Sequence, residues 1–219
     1  MKKLLLIVCL CLTVFVGTAF SETVTEMSAE ELCKAGKEAI DAEDYEKALV
    51  YFQKAADLDN AEAMDNLGNM YADGHGVEQD YEKALKYYQL AADRGIATAL
   101  YHLGRMYDYG TGVEQDYEKA LEYYQLAADL GDEYAYTNLG DMYAAGHFVE
   151  QSWGKALEYY QLAADKGYPT AYFMLGDLYE NGSGVEQSYE KAREYYQSAA
   201  DLGLEEAIES LNRLEKEGH

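Results

Sequence analysis

From residue 28 onward, apolar positions recur at spacings of three and four, the signature of amphipathic helices. Ala63, Met64, Leu67, Met70 and Tyr71 form one such stripe and predict a helix from Ala61 to about Ala72. Gly74-His75-Gly76 ends it, and Val77, Glu78 and Gln79 lead to Asp80, a side chain suited to cap the next helix. Tyr81, Ala84, Leu85, Tyr88, Ala91 and Ala92 form the second stripe, closed by Gly95 and its equivalents Gly131, Gly167 and Gly203.

The pattern repeats. Tyr45-Glu46-Lys47-Ala48, Tyr81-Glu82-Lys83-Ala84, Tyr117-Glu118-Lys119-Ala120, Trp153-Gly154-Lys155-Ala156 and Tyr189-Glu190-Lys191-Ala192 stand 36 residues apart, and Leu67-Gly68, Leu103-Gly104, Leu139-Gly140 and Leu175-Gly176 keep the same step. Two registers locked to one period predict an all-α solenoid of antiparallel helix hairpins, because one hairpin cannot bury both of its stripes alone. Glycine inside a helix costs about 1 kcal/mol against alanine. The recurring Gly68, Gly104, Gly140 and Gly176 are therefore expected where the paired helix comes closest, with Ala84, Ala120, Ala156 and Ala192 as the facing surface. Tyr88, Tyr124, Tyr160 and Tyr196, with Phe52 in the same row, are expected between neighbouring hairpins.

Both ends depart from the repeat. Ser28 and Glu31 have capping-box spacing, and the path from Gly36 to Ala48 takes 12 residues where Gly68 to Ala84 takes 16. Leu204 to about Glu217 predicts one closing helix with Ala207, Ile208, Leu211 and Leu214 buried, Asn212 at the glycine position and Glu215 at the tyrosine position.

The units from about Ala61 to Gly203 resemble Sel1-like repeats, a likeness carried by Ala97-Thr98-Ala99-Leu100-Tyr101-His102-Leu103-Gly104-Arg105-Met106-Tyr107, then Gly110-Thr111-Gly112-Val113-Glu114-Gln115-Asp116-Tyr117-Glu118-Lys119-Ala120. The opening unit is similar to a tetratricopeptide repeat through Gly36, Ala48, Phe52 and Ala55. The expected organisation is a signal peptide over 1–21, a linker over 22–27, a TPR-like repeat over 28–60, Sel1-like repeats over 61–96, 97–132, 133–168 and 169–203, and a capping helix over 204–219. The resemblance implies a right-handed superhelix whose first helices line a concave groove, and a role in assembling protein complexes. Some exported relatives bind or hydrolyse β-lactams and carry paired cysteines in each repeat. This chain departs from them, with Cys33 alone once a signal peptide is removed. An envelope enzyme of that kind and a structural subunit of a larger assembly are the alternatives to a binding scaffold.

On that resemblance the groove positions are the second, fifth, ninth, twelfth and thirteenth of each unit. They read Glu62, Asp65, Asn69, Ala72 and Asp73; Thr98, Tyr101, Arg105, Asp108 and Tyr109; Tyr134, Thr137, Asp141, Ala144 and Ala145; and Thr170, Phe173, Asp177, Glu180 and Asn181. These vary while the packing rows repeat, as expected of a fixed scaffold with a particular binding face. Aromatics beside acids suit a peptide or protein segment with basic and apolar anchors. Arg105 either pairs with Asp141 or meets the ligand. Tyr87, Tyr123, Tyr159 and Tyr195 form a second row, read as packing between hairpins or as an outer aromatic strip.

Composition narrows the picture. Lys2 and Lys3 before the uncharged run Leu4 to Val16, then Ala19 and Ser21, read as a signal peptide cleaved after Ser21 or after Ala19. An exported, periplasmic or secreted protein is expected, without membrane insertion after cleavage. Its loss takes two lysines and no acid from a chain of formal charge −24, leaving −26. That field disfavours nucleic acid and anionic lipid. It either favours cationic partners or covers a solvated surface. Cys33 reads as a packing residue or as a disulfide donor to a partner.

No enzyme, cofactor or metal is expected. His75, His102, His147 and His219 lack the spacing of a helical zinc site. The Gly-rich loops lack the lysine and hydroxyl of a phosphate loop, and too few oxygen ligands recur in them for a dedicated calcium loop. The third loop is irregular: Phe148 stands where Gly76, Gly112 and Gly184 do, and is expected to pack on Trp153 or to serve as an exposed anchor.

Overall fold

Each predicted stripe is a helix. The computed structural model describes residues 27–218, and among these there are eleven helices and no strand. They are α1 (Ala29–Asp41), α2 (Tyr45–Asp57), α3 (Ala61–Asp73), α4 (Tyr81–Ala92), α5 (Ala97–Tyr109), α6 (Tyr117–Asp129), α7 (Glu133–Ala145), α8 (Trp153–Asp165), α9 (Pro169–Asn181), α10 (Tyr189–Asp201) and α11 (Glu205–Glu217). The expected signal peptide, most of the linker after it and His219 lie outside the described residues. The helices fall into two compact units, α1–α4 up to Ile96 and α5–α11 from Ala97. No described helix is long and apolar enough to cross a membrane.

Local chemistry sets the ends of the helices. The capping box forms: Ser28 Oγ accepts from the Glu31 N–H at 3.2 Å, and Glu31 Oε2 accepts from the Ser28 N–H at 2.8 Å. Asp80, Asp116, Ser152 and Ser188 cap the second helices by accepting from the N–H three residues on, at 3.0 to 3.4 Å. The loop glutamines close the first helices. Gln79, Gln115, Gln151 and Gln187 donate Nε2–H to the carbonyls of Ala72, Asp108, Ala144 and Glu180 at 2.6 to 2.8 Å, partnering carbonyls that a helix end would leave open.

The in-helix glycines face aromatic rings, not the alanine row. A Cβ on Gly68 would lie 2.4 Å from Tyr88 Cε1, and the same holds for Gly104 on Tyr124 at 2.6 Å, Gly140 on Tyr160 at 2.4 Å and Gly176 on Tyr196 at 2.5 Å. In the opening unit Gly36 meets Phe52 at 2.5 Å. The tyrosine row therefore packs within each hairpin, not between hairpins as expected, because a flat ring laid on a helix needs bare backbone beneath it. Ala84, Ala120, Ala156 and Ala192 are wholly buried without being the glycines' partners.

The second tyrosine row has its own repeated contact. Tyr87, Tyr123, Tyr159 and Tyr195 stack on Tyr71, Tyr107, Tyr143 and Tyr179 at centroid distances of 5.5 to 5.8 Å. Lys83, Lys119, Lys155 and Lys191 lie over the first-helix member of each pair at 4.4 to 5.0 Å. Tyr87, Tyr159 and Tyr195 donate their hydroxyls to Gln53, Gln125 and Gln161 of the preceding second helix at 2.9 to 3.4 Å. These half-buried rings are packing elements that stitch one hairpin to the next.

Three other expectations are changed or decided by packing. Ile208 is 47% exposed, so the closing helix buries only Ala207 and Leu214 fully. Phe148 stacks on Tyr117 at 3.6 Å and 11°, not on Trp153, because its loop rests on the first residue of the preceding second helix, as the Gly76 loop rests on Tyr45. Trp153 accordingly serves the following loop, where a Cβ on Gly184 would fall 2.3 Å from Trp153 Cβ. Cys33 is buried, its thiol pushed up to about 11 by desolvation and by Glu62, so it is not presented to a partner.

Two glycines in neighbouring helices separate packing from propensity. Gly140→Ala drives a methyl into the Tyr160 ring and is expected to destabilise by about 1–3 kcal/mol despite better helix propensity. A Cβ on Gly154, on the open first turn of α8, meets nothing within 4 Å, so Gly154→Ala is expected to stabilise by up to about 1 kcal/mol. Urea unfolding of both variants checks the pair.

Candidate functional site

The varied first-helix positions are best described on the second unit, where α5, α7 and α9 carry them. Their exposure is uneven. Thr98, Arg105, Tyr109, Tyr134, Asp141, Ala145 and Asn181 are exposed, whereas Tyr101, Asp108, Ala144, Thr170, Phe173, Asp177 and Glu180 are half-buried. In the first unit Glu62 and Asp73 are exposed, and Asn69 and Ala72 are half-buried. The expectation of exposure does not hold for Asp65 and Thr137, which are 7% and 6% exposed. The fifth position points down toward the core, and Thr137 Oγ1 donates to the Glu133 carbonyl at 3.0 Å. Where the fifth residue is aromatic it lies against the hairpin's own tyrosine: Tyr101 on Tyr124 at 5.9 Å and Phe173 on Tyr196 at 5.4 Å.

The carboxylates of this face are tied to the core tyrosines. Tyr160 donates its hydroxyl to Asp141 Oδ1 at 2.6 Å, Tyr124 to Asp108 Oδ2 at 3.1 Å, and Tyr196 to Asp177 at 2.5 Å and Glu180 at 2.7 Å. In the first unit Tyr88 donates to Asn69 Oδ1 at 2.8 Å. Glu180 is further held by Arg213, whose guanidinium forks onto both of its oxygens at 2.6 and 2.9 Å. Glu180 thus belongs to an intramolecular network, which the sequence reading missed. The signal was present, since Arg213 is a ninth-position residue like Arg105.

Arg105 is not paired with Asp141 by any ion pair among the described residues. Its guanidinium lies over Tyr101 at 5.9 Å and Tyr109 at 5.8 Å. Aromatic contact continues along the face, from Tyr101 to Tyr134 at 5.5 Å and from Tyr134 edge-on to Tyr168 at 4.9 Å. Tyr168 was not among the expected groove residues. It stands where Asn60 and Asp132 cap their helices, with no side-chain cap of its own. An aromatic at a capping position is the signal that marks it.

Where α5 and α7 end, a cleft of about 510 Å3 opens, lined by Asp108, Tyr109, Tyr117, Asp141, His147 and Phe148 among others. Asp141 is exposed on its rim yet crowded by the walls, and desolvation lifts its carboxyl above the usual aspartate range against the lowering effect of Tyr160. Asp177 and Asp132 are lifted for the same first reason, burial. His102, half-buried on α5, is pulled down to about 4 by desolvation and then by Arg105. No group of three or more His, Cys, Asp and Glu side chains among the described residues is placed to hold a metal. The arrangement offers apolar area, cation-receptive aromatic faces and acceptor oxygens.

A hairpin array built on a 36-residue period, with a varied face on its first helices, defines a helical-repeat scaffold. The Sel1 repeat model matches residues 29–60, 61–96, 97–132, 133–168 and 169–204, so the chain belongs to the Sel1 repeat family. The opening unit, similar to a tetratricopeptide repeat in sequence, is matched by that same model. Members of this family commonly serve as protein–protein interaction scaffolds and are generally non-enzymatic. A Sel1 repeat protein from Oxalobacter formigenes is similar at 32% identity and TM-score 0.81, over 85% of this chain and 78% of that one. A protective antigen of uropathogenic Escherichia coli with an SLR fold is similar at 30% identity and TM-score 0.76, over 87% of this chain. This chain spans 42% of that antigen's length. An immunity protein from Pseudomonas aeruginosa is similar at 32% identity and TM-score 0.54, over 71% of this chain and 57% of that one. No curated protein matches.

The lifted aspartates set a pH response. Because the folded chain holds protons on Asp132, Asp141 and Asp177 more tightly than the unfolded chain, their contribution to stability grows as pH falls through the raised folded values. Glu31, Asp80 and Asp116 are lowered by backbone hydrogen bonds, so their contribution is kept until pH falls below the ordinary carboxylate range. Thermal melts are expected to show Tm rising as pH falls from neutrality toward the carboxylate range and falling again once pH drops below that range.

Proposed function

We propose that this protein is an exported scaffold that uses the first-helix face of its second unit to hold a protein segment carrying basic and apolar side chains. The observation that carries the reading is the continuous run of Tyr101, Tyr134 and Tyr168, on the same helices whose C-terminal ends carry Asp108 and Asp141 in the cleft. Such a surface gives buried aromatic area for apolar anchors and aromatic faces plus carboxylates for cations. The chain's net charge of −24 draws the same partner at long range, and salt weakens that attraction. Export rests on the N-terminal segment, with Lys2 and Lys3 before an uncharged apolar run.

A second reading, a structural subunit docking through its outer side, is favoured by one observation. Leu126, Leu130, Leu162 and Leu202, on or just beyond the second helices of this unit, are 39% to 55% exposed. Photocrosslinking in living cells separates the two. A benzophenone side chain placed at Tyr109 or Tyr134 is expected to capture a partner through a lysine- or arginine-bearing segment, and one placed at Leu126 or Leu162 to capture none. Capture from the leucine positions alone overturns the proposal in favour of the outer surface. The captured segment, synthesised as a peptide, is expected to bind about ten-fold more weakly to Tyr134→Ala.

A further inference from the structure

The one loop that breaks the repeat is also the wall of the cleft. At the position of Gly76, Gly112 and Gly184, with φ of 71°, 72° and 73°, Phe148 holds the same left-handed backbone at 61°. A side chain at that conformation is unfavourable, and the sister loops show why glycine is used there: a Cβ would fall 2.9 Å from the Tyr45 backbone at Gly76, and 2.3 Å from Trp153 at Gly184. The first of these sister loops lays a neighbouring ring, His75, on Tyr45, but only in this repeat does the glycine position itself carry a ring, which lies on Tyr117 and stays 57% exposed. An unfavourable backbone retained to present an exposed aromatic beside two carboxylates marks a recognition feature, not a packing one.

We infer that the cleft beside Phe148 receives an arginine side chain of the bound segment, its guanidinium laid on the aromatic wall and hydrogen-bonded by Asp108 and Asp141. This rests on the first-helix face being the binding surface. The charge is complementary: both aspartates line the cleft and no lysine or arginine does. Asp141 Oδ1 accepts from the Tyr160 hydroxyl and Asp108 Oδ2 from the Tyr124 hydroxyl, which fixes each carboxylate through one oxygen and leaves the second for a ligand. The protein already shows the mode nearby, where Arg105 spreads its own guanidinium over Tyr101 and Tyr109. A planar guanidinium both stacks on a ring and forks onto carboxylate oxygens, whereas the compact ammonium of lysine does only the second, and only as a point charge. The cleft's volume of about 510 Å3 admits that side chain with its flanking backbone.

N-acetyl-arginine amide, titrated into the purified protein while the ring resonances of Phe148 and Tyr117 are followed by NMR, tests the pocket without a peptide. Saturable shifts at both rings are expected, with N-acetyl-lysine amide at least about three-fold weaker. Phe148→Gly restores the residue of the sister loops, so the fold is retained, as circular dichroism verifies. In that variant the saturable response of Tyr117 is expected to vanish, and Asp141→Asn is expected to weaken binding about five-fold. Shifts confined to Tyr101 and Tyr134, or unchanged binding to Phe148→Gly, overturn the pocket while leaving the first-helix face intact. Failure of that face is read separately, from crosslinks at Tyr109 and Tyr134.

Discussion

The contact of an aromatic ring with bare helix backbone is the constraint on which the rest of each hairpin depends. With glycine at Gly68, Gly104, Gly140 or Gly176, the facing tyrosine lies flat on the first helix and its hydroxyl emerges at the varied face. A buried hydroxyl without a partner is costly, so an acceptor must stand where it emerges. Asn69 and Asp141 supply it from the ninth position, Asp108 from the twelfth, and Asp177 and Glu180 from both. The acidic character of this face is in part a consequence of core packing.

The same rule accounts for the exceptions. The opening hairpin has Phe52 over Gly36, with no hydroxyl to satisfy, and its ninth position is Lys37, which is ion-paired with Glu62. In the second hairpin of the varied set Asp108 meets the Tyr124 hydroxyl from the twelfth position, and the ninth is Arg105, released to lie over Tyr101 and Tyr109. The closing helix is followed by no second helix among the described residues, and its ninth position, Arg213, reaches back to Glu180. Basic residues occupy the ninth position only where no tyrosine hydroxyl calls for it.

The helices, caps, loop glycines and shortened opening loop were legible in the sequence because each follows from spacing within a dozen residues: Ser28 to Glu31, Gly74 to Asp80, Asp41 to Tyr45. Which row faces which was not. A strict period places the glycine, alanine and tyrosine rows at constant offsets whichever pair meets, so periodicity cannot choose Tyr88 over Ala84 as the partner of Gly68. Contacts between repeats were hidden for a related reason: Arg213 on Glu180 and Phe148 on Tyr117 join residues 33 and 31 apart, neither offset being the 36-residue step that self-alignment displays. The buried fifth position was misread at Asp65 and Thr137 because polar residues there imitate an exposed face.

The division between repeated and varied positions is therefore not a division between structure and function. The ninth position varies between Asn69, Arg105 and Asp141, yet Asp141 still holds Tyr160, and Tyr101 at the varied fifth position still covers Tyr124. What distinguishes a recognition residue here is a conformation or exposure that packing does not require. Glu180, enclosed by Tyr196 and Arg213, fails that criterion although it is an acid on the right face. Phe148 meets it in a side chain carried on the left-handed backbone where the sister loops keep glycine, and in the exposure of its ring. Tyr109, at 66% exposure beside the same cleft, meets it in the second sense. The irregularity of one loop, set against neighbours that keep glycine, is thus stronger evidence for where a partner is read than the acidity of the whole face.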